Sequence, residues 1–288
     1  MFSKLFSALL SVLLLAGCAR PEPVHPALWQ VEGPKGERAW LFGTIHALPE
    51  PVDWKSDKVA AAMKGANVLV LEVAAILQTS KTAETFERLA QSPGLPPLTE
   101  RVPADLRDEL AYEMRLSGYR AGEFDHYETW AAMLTFQQAI SARGDAEGEN
   151  GIDRAVVRDW DGKVDEFEGA QAQFKLFDTL PEPQQQALLA STLQGAAQAK
   201  EKSHRLQQAW ATGDMAVVDR SLQEEFAGQP ALRAALLTAR NQAWTAKLES
   251  LMAGGVRPFV AVGAGHMAGA DGLPAMLAAR GYKVTRVQ

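Results

Sequence analysis

The sequence predicts an α/β protein in which strands from both ends of the chain form one central mixed sheet, with a large helical insertion between them. Apolar, β-rich runs occur between residues 27 and 73 and again after residue 257, whereas the region from about residue 82 to residue 252 is rich in Ala, Gln, Glu and Leu. Strand-type runs on both sides of a helical region favour one interleaved domain over two separate ones. With 47% apolar residues among 288, the chain can build a large core.

Charge and motif content exclude several classes of protein. The 29 Lys and Arg residues are outnumbered by 35 Asp and Glu, which argues against a nucleic-acid-binding protein, because such a protein needs a basic surface. A single cysteine excludes an intramolecular disulfide and a cysteine-rich zinc site. The chain contains no H-E-x-x-H, G-x-S-x-G or phosphate-binding glycine loop, so we expect no nucleotide cofactor, no zincin and no serine hydrolase of the usual type.

The N-terminus has the features of a bacterial lipoprotein signal. An apolar run, residues 5–16, is too short to span a bilayer as an ordinary helix and suits a secretory signal peptide. It leads into Leu15-Ala16-Gly17-Cys18, which resembles a lipobox. The resemblance implies that residues 1–17 are removed, that Cys18 is lipidated and, since Ala19 is not Asp, that the protein is anchored in the outer membrane facing the periplasm. An ordinary signal peptide with an incidental buried cysteine is the alternative.

The first part of the mature chain has the pattern of a tether followed by a hairpin. Residues 18–26 are Pro-rich and extended, and the folded domain is expected over residues 27–288. The turn sequence Gly33-Pro34-Lys35-Gly36 separates two β-rich runs, which predicts a hairpin. In chain order, the patterns predict strands at residues 27–32 and 38–42, a helix near residues 55–64 and a buried strand at residues 67–73.

The insertion, about residues 82–252, is predicted to be helical, and the chain then returns to strands. Pro103, Pro181 and Pro230 stand at helix starts, and one short interruption at residues 163–168 fits another strand. The C-terminal patterns predict a strand at residues 258–262, a helix at residues 273–280 that Gly281 ends, and a last strand at residues 282–287.

Two of the five histidines follow an apolar strand in the same way. One strand runs into Gly43-Thr44-Ile45-His46 and the other into Gly263-Ala264-Gly265-His266. A glycine at a strand end lets the backbone turn sharply or approach a ligand, and the histidine then lies over the carboxyl end of the strand, where open α/β sheets place their sites. The alternative is that both histidines are core or turn residues bonded to backbone carbonyls.

Three charged residues are further candidates. Glu72 ends an apolar run, where a carboxylate is costly unless it is paired or at a strand edge. Glu168 repeats this pattern more weakly, and a solvated strand-end carboxylate is the alternative for both. Arg240 lies inside the predicted helix at residues 231–252, where spacing alone favours a solvated face, and Trp244 nearby is most simply a packing residue.

The candidate residues lie in segments that resemble the TraB/GumN family, within the wider group of Tiki-like, erythromycin-esterase and ChaN-like proteins. Departures from the pattern at Thr129, Glu166 and Met267 leave the candidate residues intact. The matching segments are residues 41–49, Val70-Leu71-Glu72, Gly151-Ile152-Asp153, residues 163–168 with Gln173, Arg240-Asn241, residues 263–269, Gly272-Leu273 and Gly281-Tyr282-Lys283-Val284.

The resemblance implies an α/β fold like that of the erythromycin-esterase and ChaN-like proteins, with one G-x-x-H from each half. It also implies that Arg240 and Glu168 are site residues. For Tiki relatives it implies metal-dependent peptide cleavage, and for the esterase relatives it implies ester hydrolysis that uses His and Glu.

The first functional hypothesis is a membrane-anchored, peptidase-like hydrolase of the cell envelope that acts on a peptide or another small substrate. His46, Glu72 and His266 would bind a divalent metal and leave one position for water, Glu168 would take its proton, and Arg240 would hold the oxyanion. Metal-free base catalysis by His46 with Glu72 stays open. The other hypotheses are a lipoprotein that binds a peptide, haem or metal without turnover, and an envelope protein whose site is vestigial.

The lipobox predicts the consequence of removing the acceptor thiol. In Cys18→Ser the thioether cannot form, so we expect either release into the soluble periplasmic fraction or an uncleaved precursor. Cell fractionation and the electrophoretic mobility of the precursor check this. Normal processing with membrane retention in the variant would contradict lipidation at Cys18.

Overall fold

A six-stranded mixed sheet organises the computed structural model, which describes residues 23–74, 79–120 and 122–288. The signal region and Cys18 lie outside the described residues. Across the sheet the strand order is β4-β3-β5-β2-β1-β6. The strands are β1 (Leu28–Glu32), β2 (Arg38–Thr44), β3 (Val68–Leu71), β4 (Lys163–Glu166), β5 (Pro258–Gly263) and β6 (Lys283–Arg286).

The hairpin predicted at the start of the domain is present. β1 and β2 are antiparallel, with Leu28 opposite Phe42 and Glu32 opposite Arg38. Gly36 in the connecting turn has a φ of 86°, a conformation that glycine adopts without steric cost. β6 adds to the outer side of β1, so that the C-terminus closes this edge of the sheet.

The other strands are parallel, which confirms the mixed sheet predicted from both chain ends. β5 lies between β2 and β3 and pairs with each of them in parallel, while β4 pairs in parallel with β3. The carboxyl ends of β2, β3, β4 and β5 therefore meet at one edge, which we call the carboxyl edge. β4 is the predicted strand inside the insertion, so one strand of the sheet does not come from a chain end.

Helices cover both faces of the sheet, and further helices extend from the insertion. None in the described part of the chain has the length and apolar character needed to cross a bilayer. The helices are α1 (Asp57–Gly65), α2 (Thr79–Ala90), α3 (Arg107–Leu116), α4 (Thr129–Ala142), α5 (Ile152–Arg158), α6 (Ala170–Asp178), α7 (Glu182–Gly195), α8 (Ala199–Thr212), α9 (Met215–Glu225), α10 (Pro230–Arg233), α11 (Ala239–Ala253) and α12 (Leu273–Ala279).

Alternate side chains of the buried strands enter two cores, as the two-residue period of a strand requires. One core joins Val70, Val260 and Leu41 to the apolar sides of α11 and α12. The other core joins Leu69 and Phe259 to α1, α5 and α8. The insertion helices α3, α4 and α7 pack around a separate apolar cluster, so the insertion has a core of its own beside the sheet.

Two elements differ from the sequence predictions in detail. The helix expected at residues 231–252 is interrupted by a π-helical segment, Ala234–Thr238, which directly precedes Arg240. Residues 23–26, the described part of the predicted tether, lie on the domain: the Val24 N–H donates to the Asp53 carbonyl at 3.0 Å and the His25 N–H donates to the Ala211 carbonyl at 2.7 Å.

Candidate functional site

The carboxyl edge brings the predicted site residues together. His46 follows β2, Glu72 follows β3 directly and His266 lies in a short 3₁₀ turn after β5. Glu168 follows β4, and its N–H donates to the Glu72 carbonyl at 3.2 Å. Arg240 reaches the same edge from α11.

Arg240 is the centre of a buried hydrogen-bond network. Its Nε and Nη2 donate to the two oxygens of Glu168 at 2.8 and 2.9 Å, and Nη2 also donates to Glu72 Oε2 at 3.1 Å. Its Nη1 donates to the Leu236 carbonyl at 3.2 Å and lies 3.3 Å from His266 Nε2. A guanidinium has five N–H groups, so this geometry gives every one of them an acceptor.

Trp244, which the sequence favoured only as a packing residue, is also part of this network. Its indole N–H donates to Glu168 Oε1 at 2.9 Å, and the Arg240 guanidinium lies 4.8 Å from the centre of its ring. The ring also packs against the His266 imidazole, with centroids 4.3 Å apart. Trp244 therefore fills the core and orients three site residues.

The position of His266 is determined by Asn241. The Asn241 amide donates to the Asp271 carbonyl at 2.7 Å, so its Oδ1 accepts from His266 Nδ1, which lies 2.6 Å away. This assigns the proton to Nδ1 and leaves the lone pair of Nε2 facing Arg240. Burial lowers the pKa of His266 to about 4, so the imidazole is neutral at pH 7.

Glu72 is held by donors on both oxygens. Oε1 accepts the Gly263 N–H at 2.9 Å and Oε2 accepts Arg240. Burial raises the pKa of the Glu72 carboxyl, but His266, His46, Arg240 and the Gly263 N–H together lower it by more, so the carboxylate is ionised.

His46 pairs with Asp153, a partner that the strand-end pattern does not predict. His46 Nδ1 lies 2.7 Å from Asp153 Oδ2, and the Thr44 hydroxyl donates to the other oxygen of Asp153. Asp153 is 4% exposed, whereas 71% of the His46 side chain remains accessible. The Asp153 charge and hydrogen bond raise the pKa of His46 to about 9. Burial raises the pKa of Asp153, but His46 and Thr44 lower it by more.

The backbone at the start of α5 places Asp153 against His46. The Ile152 N–H donates to the Ile45 carbonyl at 2.8 Å, and a Cβ on Gly151 would collide with the His46 carbonyl oxygen. Gly151 therefore allows α5 to approach the end of β2. The sequence signal for this contact was the Gly151-Ile152-Asp153 segment, which contributed to the family resemblance.

Gly263 leaves a space between His46 and Glu72. A Cβ at this position would lie 3.3 Å from Glu72 Oε1 and 3.7 Å from His46 Nε2. Both polar atoms are thus within reach of a small molecule placed above the Gly263 backbone.

A cavity of about 650 Å³ opens onto this space. His46, Glu72 and Asp153 line one side, at the carboxyl edge, and side chains from the insertion helices α2, α4 and α6 line the other. Glu168, Arg240 and His266 are not among the described residues that line the cavity. Of the predicted site residues, His46 and Glu72 therefore face the cavity. The other three, Glu168, Arg240 and His266, lie in the buried network around Arg240 that holds Glu72.

The donor atoms do not fit the metal site expected from the sequence. Glu72 and His266 both face the Arg240 guanidinium, whose positive charge would repel a cation bound there, and His46 Nδ1 is directed to Asp153. Within residues 23–74, 79–120 and 122–288, no three His, Cys, Asp or Glu side chains are grouped so as to hold a metal ion. The metal at His46, Glu72 and His266 stays a prediction from sequence.

Comparison with known proteins supports the resemblance found in the sequence. The model of the TraB/PrgY/gumN family matches residues 27–286 of the 288 residues. No curated protein and no solved structure matches the chain.

The two histidines predict a bell-shaped dependence of the free energy of unfolding on pH. Below its ordinary pKa of 6.5, His266 binds a proton in the unfolded chain but not in the folded one until about pH 4, so stability falls as the pH drops. Between 6.5 and about 9, His46 keeps a proton only in the folded chain, so stability falls as the pH rises.

Denaturant unfolding at a series of pH values checks this shape. We expect His266→Gln to flatten the acid limb and His46→Gln to flatten the alkaline limb, whatever each substitution does to the absolute stability. If the wild-type slope persists in both variants, the assigned pKa shifts are wrong.

Proposed function

The chain belongs to the TraB/PrgY/gumN family, and we propose that in this member the carboxyl edge is a hydrolytic active site that needs no metal ion. A water held between His46 and Glu72 attacks a carbonyl carbon of the substrate. The observation that carries the proposal is the His46–Asp153 pair, in which one imidazole nitrogen is bonded to a buried carboxylate while the ring is accessible from the cavity.

His46 acts as the general base. Its Nδ1–H donates to Asp153, which leaves the lone pair on Nε2 free to take a proton from the water. The imidazolium that results is stabilised by the Asp153 charge. The elevated pKa makes this base strong but also keeps it protonated at neutral pH, so its active form accumulates only in alkaline solution.

Glu72 positions the water. Since Oε1 is close to the point where a Cβ of Gly263 would stand, a water at this point is within hydrogen-bonding distance of Glu72 and near His46 Nε2. The absence of a side chain at Gly263 is what leaves room for it. No serine or cysteine lines the cavity among the described residues, so water is the simplest nucleophile.

Arg240, Glu168 and His266 act as positioning residues. All five Arg240 donors already have acceptors, so an oxyanion contact from this guanidinium would require one of those bonds to break. Glu168 accepts from Arg240 and Trp244 and supports Glu72 through Arg240. These residues therefore keep Glu72 ionised and correctly oriented.

Binding without turnover is the second candidate. It is favoured by the largely apolar lining of the cavity and by the absence of a free Arg240 donor for an oxyanion. In that case the cavity would sequester an apolar ligand, such as a peptide or haem.

In both cases we propose that the protein is held by its lipid at the outer membrane and faces the periplasm. The metal-dependent form of hydrolysis differs from our proposal in one outcome, because a strong chelator would abolish it.

Gly263→Ala tests the position of the water. The methyl group would occupy the space between His46 and Glu72, and the backbone φ of −49° at this glycine accepts alanine. We expect kcat to fall by about a hundredfold, since general-base catalysis of this kind contributes on that order, with the unfolding midpoint nearly unchanged. The readout is hydrolysis of a panel of p-nitrophenyl esters and quenched peptides, with and without chelator.

Gly265→Ala is the matched control, because a Cβ there would meet only Leu222 at ordinary contact distance. It should leave kcat unchanged. Equal kcat in Gly263→Ala and wild type would rule out a water at this position, and loss of wild-type activity with chelator would favour the metal-dependent form.

Asp153→Asn tests the base. Without the Asp153 charge the pKa of His46 falls from about 9 toward 6.5, so the rise of kcat/KM with pH should move to lower pH while its maximum drops. The pH profile of kcat/KM in wild type and variant measures this. A lower maximum with no shift along the pH axis would show that Asp153 is only structural.

A further inference from the structure

Three of the polar side chains that line the cavity take no part in the proposed reaction: Gln138 of α4, Arg154 of α5 and Gln173 of α6. Neither glutamine side chain makes a hydrogen bond within the described part of the chain. A side-chain amide both donates and accepts, which suits it to the N–H and C=O groups of another amide.

Arg154 has the weakest attachment of the three. Its ion pair is with Glu149, at a distance of 3.6 Å, and the Glu149 side chain is 74% exposed. A long ion pair with an exposed partner contributes little, so it competes weakly with a ligand. Among the described residues that line the cavity, Arg154 is the one Arg or Lys side chain, and it directly follows Asp153.

Much of the remaining lining is apolar, and it includes an aromatic pair. Phe86 and Phe174 meet edge to face with ring centroids 5.5 Å apart, and both pack on the buried Trp130, which fixes their positions. Leu134 continues this surface. An apolar group placed against these side chains would be shielded from water.

We propose that the cavity takes an apolar carboxylate of the N-acyl amino acid class. The apolar parts lie against Phe86 and Phe174, the amide faces Gln138 and Gln173, and the carboxylate pairs with Arg154. Because Arg154 is next to Asp153 in the chain, the carboxylate is held near the His46–Asp153 pair. The amide between the acyl group and the amino acid is then the bond within reach of His46.

The reaction at that bond is an ordinary hydrolysis. The water oxygen forms a bond to the acyl carbon, the C–N bond breaks, and the proton taken by His46 passes to the leaving nitrogen. The products are a fatty or aromatic acid and a free amino acid. This step rests on the proposed function, whereas the binding preference for a carboxylate does not.

A binding experiment tests the preference for a carboxylate separately from the hydrolysis step. N-benzoylphenylalanine and N-benzoylphenylalaninamide differ only in the terminal group, a carboxylate or its amide. Calorimetric titration of each into the processed, lipidated protein in detergent measures both affinities, with empty micelles as the blank. The protein carries His46→Gln so that neither compound is hydrolysed. We expect the acid to bind about tenfold more tightly than the amide, as for one charged hydrogen-bonded contact.

Substitutions on α5 and at Glu149 identify the cation. Arg154→Gln should abolish the preference for the acid and leave affinity for the amide unchanged. Arg158→Gln is the matched control, because Arg158 is on the same helix and pairs with the same Glu149, at 3.8 Å, yet is not among the lining residues. Glu149→Gln frees Arg154 from its partner and should strengthen binding of the acid alone.

Equal affinities for acid and amide, failure of both to bind, or a preference that survives Arg154→Gln would each overturn this inference. A preference that depends on Arg154 with no hydrolysis by wild type would refute the proposed reaction and leave the binding site standing. Hydrolysis of the ester or peptide panel without any preference for the acid would refute the carboxylate-binding site and leave the proposed reaction standing.

Discussion

The site depends on one buried charge cluster, in which the Arg240 guanidinium joins the carboxylates of Glu72 and Glu168. Arg240 is 11% exposed and each carboxylate 13%, so none of the three is fully solvated. Such a cluster is stable only when its hydrogen bonds are complete, and breaking a buried pair by removing one partner costs about 3–5 kcal/mol. The π-helical turn before Arg240 contributes here, because it supplies the Leu236 carbonyl that accepts one of the Arg240 N–H groups.

The order of the strands explains why this cluster forms. β3 lies between β4 and β5, with Leu71 opposite Glu166 on one side and Ala261 on the other. The residues just beyond these pairs, Glu72, Glu168 and Gly263, must therefore meet at the carboxyl edge. β2 follows on the far side of β5, where Thr44 is opposite Gly263, and this brings His46 to the same place. Parallel neighbours are needed throughout, since an antiparallel β3 would carry Glu72 to the opposite edge.

Much of this arrangement could be predicted from the sequence, because the buried strands are short apolar runs and two of them, β2 and β5, lead into G-x-x-H. The pattern also marked His46, His266 and Glu72. It could not mark Asp153, which comes from the helical insertion and reaches His46 only through the close approach of Gly151. Nor could spacing alone distinguish Arg240 from a surface arginine. The expected metal site shows a further limit: residue types indicate which atoms are able to bind a cation, whereas only the fold shows that Glu72 Oε2 and His266 Nε2 both face the Arg240 guanidinium.

The two sides of the cavity come from different parts of the fold, and in the proposed function this separates the reacting groups from most of the residues that contact the ligand. The side at the carboxyl edge consists of strand ends whose positions follow from the pairing of the whole sheet, so a change there would disturb the core. The other side consists of α2, α4 and α6, which pack in clusters apart from the sheet. Helix α5 contributes to both sides of the cavity, because Asp153 pairs with His46 and the next residue, Arg154, lines the cavity. If the proposed binding is correct, substitutions at Phe86, Gln138 or Phe174 change which ligand fits while the His46–Asp153 pair and the Arg240 cluster keep their geometry. In the proposed reaction, the insertion therefore supplies most of the ligand space, and its helix α5 also supplies Asp153 to the histidine that the sheet positions.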